Sequence, residues 1–407
     1  MRGRTIIFCL LLSLNAAGQE QDSISSGHPK RSASTFNGLI HNVQQYLDSA
    51  TMRKVNPAYI EVHEKPWRVI LRYKANALGV DYEDKLEGPG ENEYAKWKMA
   101  FRPRVNQSVG LWVGYRGLGL GYSQSVTKNE GRFFSFGATG AKYGITFRLK
   151  KYKMFDTTIS AQEYQDGKVI EEMKSDAQTY DPVWISSYYL NGYYVFNGKR
   201  YSQAAAYNQS VIQRHSAGSF LLGATFYQSS IDFSKPRNAG IMLLSHNIGR
   251  IKLQQASIGA GYGYNWVPVR GFVVNAMAMP SISVYSRVKA YKYDSNYDMS
   301  DINGQEDDYG KWNSETRQWE NGKSHKPVDY ADEEGQWLEE AEVWRNGSDT
   351  EYSAFRFSLD VRCGIVYNWR NYFIGLQGQF NMMGYKKDNN RVSILDGFGQ
   401  ASLGIRL

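Results

Sequence analysis

Residues 110–126 read GLWVGYRGLGLGYSQSV. Leu111, Val113 and Tyr115 alternate before a turn, and Leu118, Leu120 and Tyr122 alternate after it. A period of two places such side chains on one face of a strand. Gly117, Gly119 and Gly121 fall on the other face, where a missing side chain leaves space or lets a neighbour approach. The competing reading is a phosphate loop, which needs a helix behind it to supply amides and a dipole. No helical pattern follows, and the spacing fails G-x-G-x-x-G. The stretch is strand, tight turn, strand.

The same period recurs outward from it. In WRVILRYKANALG (67–79), Trp67, Val69, Leu71, Tyr73, Ala75 and Ala77 share a face opposite Arg68, Arg72, Lys74 and Asn76. In KLQQASIGAGYGYNW (252–266), Ala256, Ile258, Ala260, Tyr262, Tyr264 and Trp266 oppose Gln255, Ser257, three glycines and Asn265. In AFRFSLDVRCGIVYNW (354–369), the apolar face runs from Phe355 to Trp369 at every second residue, opposite Arg356, Ser358, Asp360, Arg362 and Gly364. Alternation this long exceeds what a sandwich strand needs and suits a strand tilted across a bilayer. Aromatics gather at the ends of these faces, where a membrane interface would lie.

Strand starts near Trp67, Gly117, Lys142, Ser216, Arg270 and Tyr372 run one way; those near Asn106, Arg132, Val183, Lys252, Tyr352 and Val392 run back. The count is about twelve (range roughly 10–14), even as single-chain barrels require. Short turns at 115–117, 139–141, 268–270 and 370–371 share one end; long links at 82–105, 155–182, 233–251 and 293–351 share the other. Short periplasmic turns and long outer loops put both termini in the periplasm. The exception is 198–215, a long link on the short-turn side.

Composition agrees with an all-β, antiparallel transmembrane barrel. The chain has 39 Gly, 30 Tyr and 10 Trp, a mean hydropathy of −0.53 and no apolar run long enough for a membrane helix. Arg2 and Arg4, the apolar run Ile6–Leu14 and the small residues Ala16-Ala17-Gly18 form a signal-peptide pattern over 1–18. A periplasmic segment, 19–66, follows; Phe36, Leu39, Ile40, Val43, Leu47 and Ala50 give it a short amphipathic helix. Residues 67–407 form the barrel. After removal of Cys9 with the leader, Cys363 stands alone, so no internal disulfide forms.

Three stretches carry a family resemblance: VGYRGLGLGYS (113–123), YYVFNGKRYSQAAAYNQSVIQRHSAGSF (193–220) and KYGITFRLKKYKMF (142–155). From about residue 40 onward the chain resembles a family of Bacteroidetes outer-membrane proteins, domain of unknown function 4421. The resemblance implies a barrel and an outer-membrane address, and brings no catalytic residues. Its pattern has Lys where this chain has His215.

Chemistry could sit in two places. The link 197–219 holds Lys199, Arg200, Arg214, His215, Ser216 and Ser219. It is too long for a turn, so it is expected to fold into the lumen as a plug. Its functional readings are an anion or lipid-headgroup site and a Ser–His hydrolase, but for the latter His215 and Ser216 are adjacent and strand neighbours point apart; no G-x-S-x-G or orienting carboxylate or amide accompanies them. The second place is the acidic outer loop, 294–351, with 17 acidic and 5 basic residues. That is a net −12 within a chain of +8, so the remainder is near +20. Arg68, Arg72, Lys74, Arg148, Lys150, Arg356, Arg362 and Arg406 are expected to point inward, giving a basic lumen that favours anions or pairs with carboxylates such as Asp360.

Within the loop, GKWNSETRQWENG (310–322) and GQWLEEAEVWRNG (335–347) repeat one pattern and predict two related hairpins. Trp312, Trp319, Trp337 and Trp344 are surface-binding candidates for a glycan or a protein partner, or they pack together and stiffen the loop. Asp294, Asp298, Asp301, Asp307 and Asp308 miss the EF-hand spacing. No HExxH, Walker A or zinc spacing occurs, and no catalytic residue, cofactor, metal or nucleic-acid partner is assigned. The expected partners are outer-membrane lipid, the barrel-assembly machinery and an anionic solute. The leading reading is a narrow or plugged channel or a binding scaffold. The alternatives are a barrel enzyme acting through 197–219 on lipid or envelope substrates, and a secreted β-sandwich lectin.

Overall fold

The computed structural model describes residues 55–87, 94–102, 105–127, 130–154, 158–165, 168–173, 181–238, 242, 247–295, 311–313, 318–320, 342–353, 356–387 and 390–407. The leader, the amphipathic helix expected at 36–50, Trp337 and Asp298 to Asp308 lie outside them.

Twelve strands form the wall: β1 (Trp67–Glu87), β2 (Asn106–Tyr115), β3 (Leu118–Ser125), β4 (Gly131–Thr139), β5 (Tyr143–Met154), β6 (Val183–Val195), β7 (Ala217–Asp232), β8 (Ile248–Trp266), β9 (Phe272–Ser295), β10 (Phe357–Trp369), β11 (Tyr372–Lys387) and β12 (Asn390–Arg406). Each pairs antiparallel with its neighbour in sequence. β12 returns to β1 in a register running from Arg68↔Arg406 to Glu83↔Arg391, and closes the ring. Closure satisfies every strand edge, which a membrane span requires. It also overturns the sandwich reading, since a sandwich packs two open sheets.

The strand count and directions match the alternation. The long links differ from expectation because three of them carry strands of their own. β1 extends upward to pair with Tyr94–Arg102, which pairs with Thr158–Gln165, which pairs with Lys168–Met173. The upper part of β9 pairs with Val343–Ser353. Trp344 therefore stands opposite Asp294, and Asn346 Nδ2 donates to the Asp294 carboxylate. Trp344 thus belongs to a strand that pairs with the barrel wall, while residues 335–341 of the second expected hairpin lie outside the described residues. The first hairpin forms, with Trp312 opposite Trp319.

Two faces result. Outward, Leu71, Leu111, Leu190, Leu222, Ile258, Ile365, Ile374 and Leu403 are exposed apolar residues, the belt a bilayer would cover. Aromatics cluster at the short-turn end of that belt. Tyr367, Trp369 and Tyr372 stack at 5.7 and 6.0 Å, and Trp67 meets Tyr115 edge-on at 5.0 Å. Inward, the lumen is layered. Its long-link end is filled by a buried apolar cluster that includes Val80, Tyr152, Val183, Ile231, Ile251 and Ile394. The middle is polar and charged. The short-turn end is occupied by residues 197–216, which carry the one-turn helix α1 (Gln203–Tyr207). The expected inward basic residues lie in the middle and lower layers, and the apolar layer at the long-link end adds to that expectation. Inward positions at the upper strand ends, such as Val80 and Ile394, are apolar while those at mid-strand, such as Arg72 and Asp396, are charged.

Candidate functional site

Residues 197–216 are held by the barrel wall through the free carbonyls of α1. A helix leaves its last four C=O groups without partners, and in a helix this short that is nearly all of them. The wall supplies donors. Gln377 Nε2 donates to Ala206 O at 2.9 Å and Tyr207 O at 3.1 Å. Arg68 Nη1 donates to Asn208 O at 2.8 Å, and Arg406 Nη2 to Gln209 O at 3.3 Å. Cations at a helix C-terminus also oppose its dipole. On the other side, Asn265 Nδ2 donates to Ser202 O at 2.9 Å, and the Tyr207 hydroxyl donates to Asn275 Oδ1. Burial pushes the Tyr201 phenol up to about 12. It is therefore neutral when it accepts from Asn275 Nδ2.

The segment before the barrel completes the plug. Ile60–Glu61 pairs with Ile212–Gln213, and Ile60, Ala204, Ala205 and Val211 form a small apolar cluster. Arg214 joins Glu61 at 2.8 Å. Lys199 and Arg200 are exposed, and Arg200 lies over the Tyr59 ring at 5.2 Å. His215 is also exposed, with its ring edge-on to Tyr59 at 5.7 Å. Ser216 Oγ accepts from the Val267 amide at 2.9 Å, and Ser219 Oγ from the Asn197 amide at 2.9 Å. The two serines and His215 thus have separate partners, and no nucleophile–base pair assembles.

The middle layer lies above the plug. Asp360 and Arg362 share a strand face two residues apart and meet at 2.5 Å, each side chain 8% exposed. Tyr189, Asn191 and Gln379 complete this network: Arg362 Nη2 donates to the Tyr189 hydroxyl and to Asn191 Oδ1, both at 3.0 Å, and Gln379 Nε2 donates to Asp360 Oδ1 at 3.1 Å. Lys150 meets Asp396 at 2.8 Å. Arg72, Lys74 and Arg148 line a cavity of about 120 Å³ with Trp112, Phe398, Tyr207 and Gln203. Arg356 is only half-buried; its backbone amide donates to Ser283 Oγ.

Sequence reading misses Trp112. It sits on the glycine face of β2, 3% exposed, with Arg68 and Arg72 over its ring at 5.2 and 4.7 Å. A side chain at Gly114, Gly119 or Gly121 would run into this indole. One large residue beside several glycines on one strand face is the signal that was there to read. Gln203, Tyr207, Asp396 and Phe398 carried none, because each acquires its role from elements distant in sequence.

The match to the family called "Domain of unknown function (DUF4421)" spans residues 57–405, and the chain belongs to that family. No curated protein matches it. Three solved structures are similar at low identity. The translocator domain of autotransporter NalP from Neisseria meningitidis is 8% identical, with 93% of this chain and 98% of that one covered and a TM-score of 0.29. Outer membrane protease OmpT from Escherichia coli is 8% identical, with 84% and 97% covered and a TM-score of 0.31. The P. putida toluene transporter TodX is 9% identical, with 88% and 94% covered and a TM-score of 0.25. Likeness at this level extends no further than the barrel class.

Proposed function

We propose that this protein is an outer-membrane barrel that is closed at rest by its own internal plug, and that it works as a gated or solute-binding barrel rather than as an enzyme. It is exported under the leader at 1–18, keeps both termini in the periplasm, and meets membrane lipid and the barrel-assembly machinery as its obligatory partners. The observation that carries the reading is the attachment of the 206–209 carbonyls to donors on three strands, Arg68, Gln377 and Arg406. Those cations are committed to holding the plug, so they do not line an open path. The enzyme alternative has lost its nearest constellation, since His215, Ser216 and Ser219 each have other partners.

The test is conductance of the folded protein in a planar bilayer under a salt gradient. The wild-type chain is expected to be silent. Arg68→Ala/Arg406→Ala, which removes two of the anchors, is expected to give flickering, anion-preferring steps. Stable wild-type steps from a sample verified as folded would refute the closed barrel.

A further inference from the structure

We infer that the cavity above the plug is a binding site for a small polyvalent oxyanion of the phosphate or sulfate class. The inference rests on the closed-lumen reading and deepens it. Its basis is an imbalance of charge. Among the described inward-facing side chains of the barrel wall, Arg68, Arg72, Lys74, Arg148, Lys150, Arg362 and Arg406 face two wall carboxylates, Asp360 and Asp396; Glu61 of the plug lies near Arg406 and is held by Arg214. Arg362 takes the first carboxylate and Lys150 the second. Arg68 and Arg406 cap the plug. Arg72, Lys74 and Arg148 remain, and none has a hydrogen-bond or ion-pair partner among the described residues.

All three line one cavity. Arg72 is only 7% exposed, and its Nε and that of Arg148 are buried without an acceptor. Their ring contacts are not a substitute. Arg148 lies 4.1 Å from the Tyr189 ring centroid and 5.1 Å from that of Phe398, which Lys74 also faces at 5.8 Å. Aromatic faces attract cations but carry no net charge. Three like charges around one small cavity repel, and a buried charge without a counter-charge is costly. A compact anion supplies both missing terms, the counter-charge and acceptors for the guanidinium N–H groups. The cavity has room for such an ion and a few waters, water in bulk occupying about 30 Å³ per molecule. Free phosphate and a phosphate ester share this chemistry.

The experiment uses the full mature chain, refolded in detergent in phosphate, sulfate, glycerol phosphate or chloride at equal ionic strength. The protein is passed into anion-free buffer, and the retained anion is released by acid and quantified. Thermal midpoints come from the loss of the folded gel mobility after incubation at graded temperatures. Near-stoichiometric retention by the wild type is expected, with a higher midpoint in the oxyanion than in chloride. Arg72→Gln/Lys74→Gln is expected to lose both effects, and in chloride to be at least as stable as the wild type because it has shed repulsion. Retention of phosphate but not glycerol phosphate identifies the free ion; the converse identifies an ester. If the double variant does not fold, Arg148→Lys keeps the charge, loses the planar donors and should weaken retention. A wild type that retains no anion and melts alike in every salt overturns the site. A conducting wild type that still retains the anion overturns the plug and leaves the site standing.

Discussion

Gly119→Ala tests the inside of the barrel with one methyl group. A Cβ at residue 119 would lie 1.8 Å from Trp112 Cζ2 and 2.1 Å from Cη2. Carbon atoms prefer about 3.5–4.0 Å, so the indole would have to move by roughly the difference. Its room is limited: Gly114 and Gly121 abut it, Ile70 and Phe373 pack with it, and two guanidinium groups cover its ring, so its one way out is toward the cavity it lines. Overpacking of this kind costs about 1–3 kcal/mol. Replacing a strand glycine with alanine returns about 0.5–1 kcal/mol, which leaves a net loss of about 0.5–2 kcal/mol. The assay is urea-induced unfolding of the refolded barrel, followed by gel mobility so that Trp112 variants can be compared. Gly137→Ala is the control, because nothing lies within 4 Å of a Cβ built there; it should be neutral or slightly stabilising. In a Trp112→Leu background the Gly119→Ala penalty should largely vanish. Equal midpoints for Gly119→Ala and Gly137→Ala, or a penalty unchanged by Trp112→Leu, would refute the packing argument.

Asp360→Asn leaves Arg362 buried without its counter-charge and should cost about 3–5 kcal/mol; Asp360→Asn/Arg362→Met should recover most of that in the same unfolding assay. Cys363 faces outward between Val361 and Ile365 on β10 and is exposed. In lipid vesicles it should react with a lipophilic maleimide and resist a sulfonated one, and equal labelling by both would place that face in water. His63 is held below its usual value of 6.5, first by partial burial and then by the neighbouring Arg406. The folded segment thus prefers the neutral ring, and its contribution is complete above pH 6.5 and lost as the pH falls through the depressed value. Thermal midpoints of the wild type should drop on acidification more than those of His63→Gln, and parallel curves would remove His63 as the cause.

The barrel was legible because a membrane strand must alternate. One face meets lipid and the other a lumen, so each strand records its own orientation in a period of two. Leu111 to Tyr122 carried that record, and so did the outward Ile365 and inward Arg362 of β10. Strand number and direction followed. The ribbons on the long links were less legible: 94–102, 158–165 and 168–173 add strands beyond the closed wall, where the two-faced environment of the wall imposes no alternation on them.

The lumen was legible only in part. Sequence alone determined which side chains point inward, including Arg68, Arg72, Lys74, Asp360 and Arg362, because parity depends on neighbours along the chain. It also marked 197–219 as too long for a turn. The tertiary structure decided what each inward charge meets. Arg68 and Arg406 end on the carbonyls of Asn208 and Gln209 just past α1, Tyr189, Asn191 and Gln379 close around the Asp360–Arg362 pair, Lys150 finds Asp396, and Arg148 comes to face Arg72 and Lys74 across a cavity. Facing side chains in a closed barrel come from strands hundreds of residues apart, and which of them meet is set by tilt, register and closure of the ring, not by any local spacing.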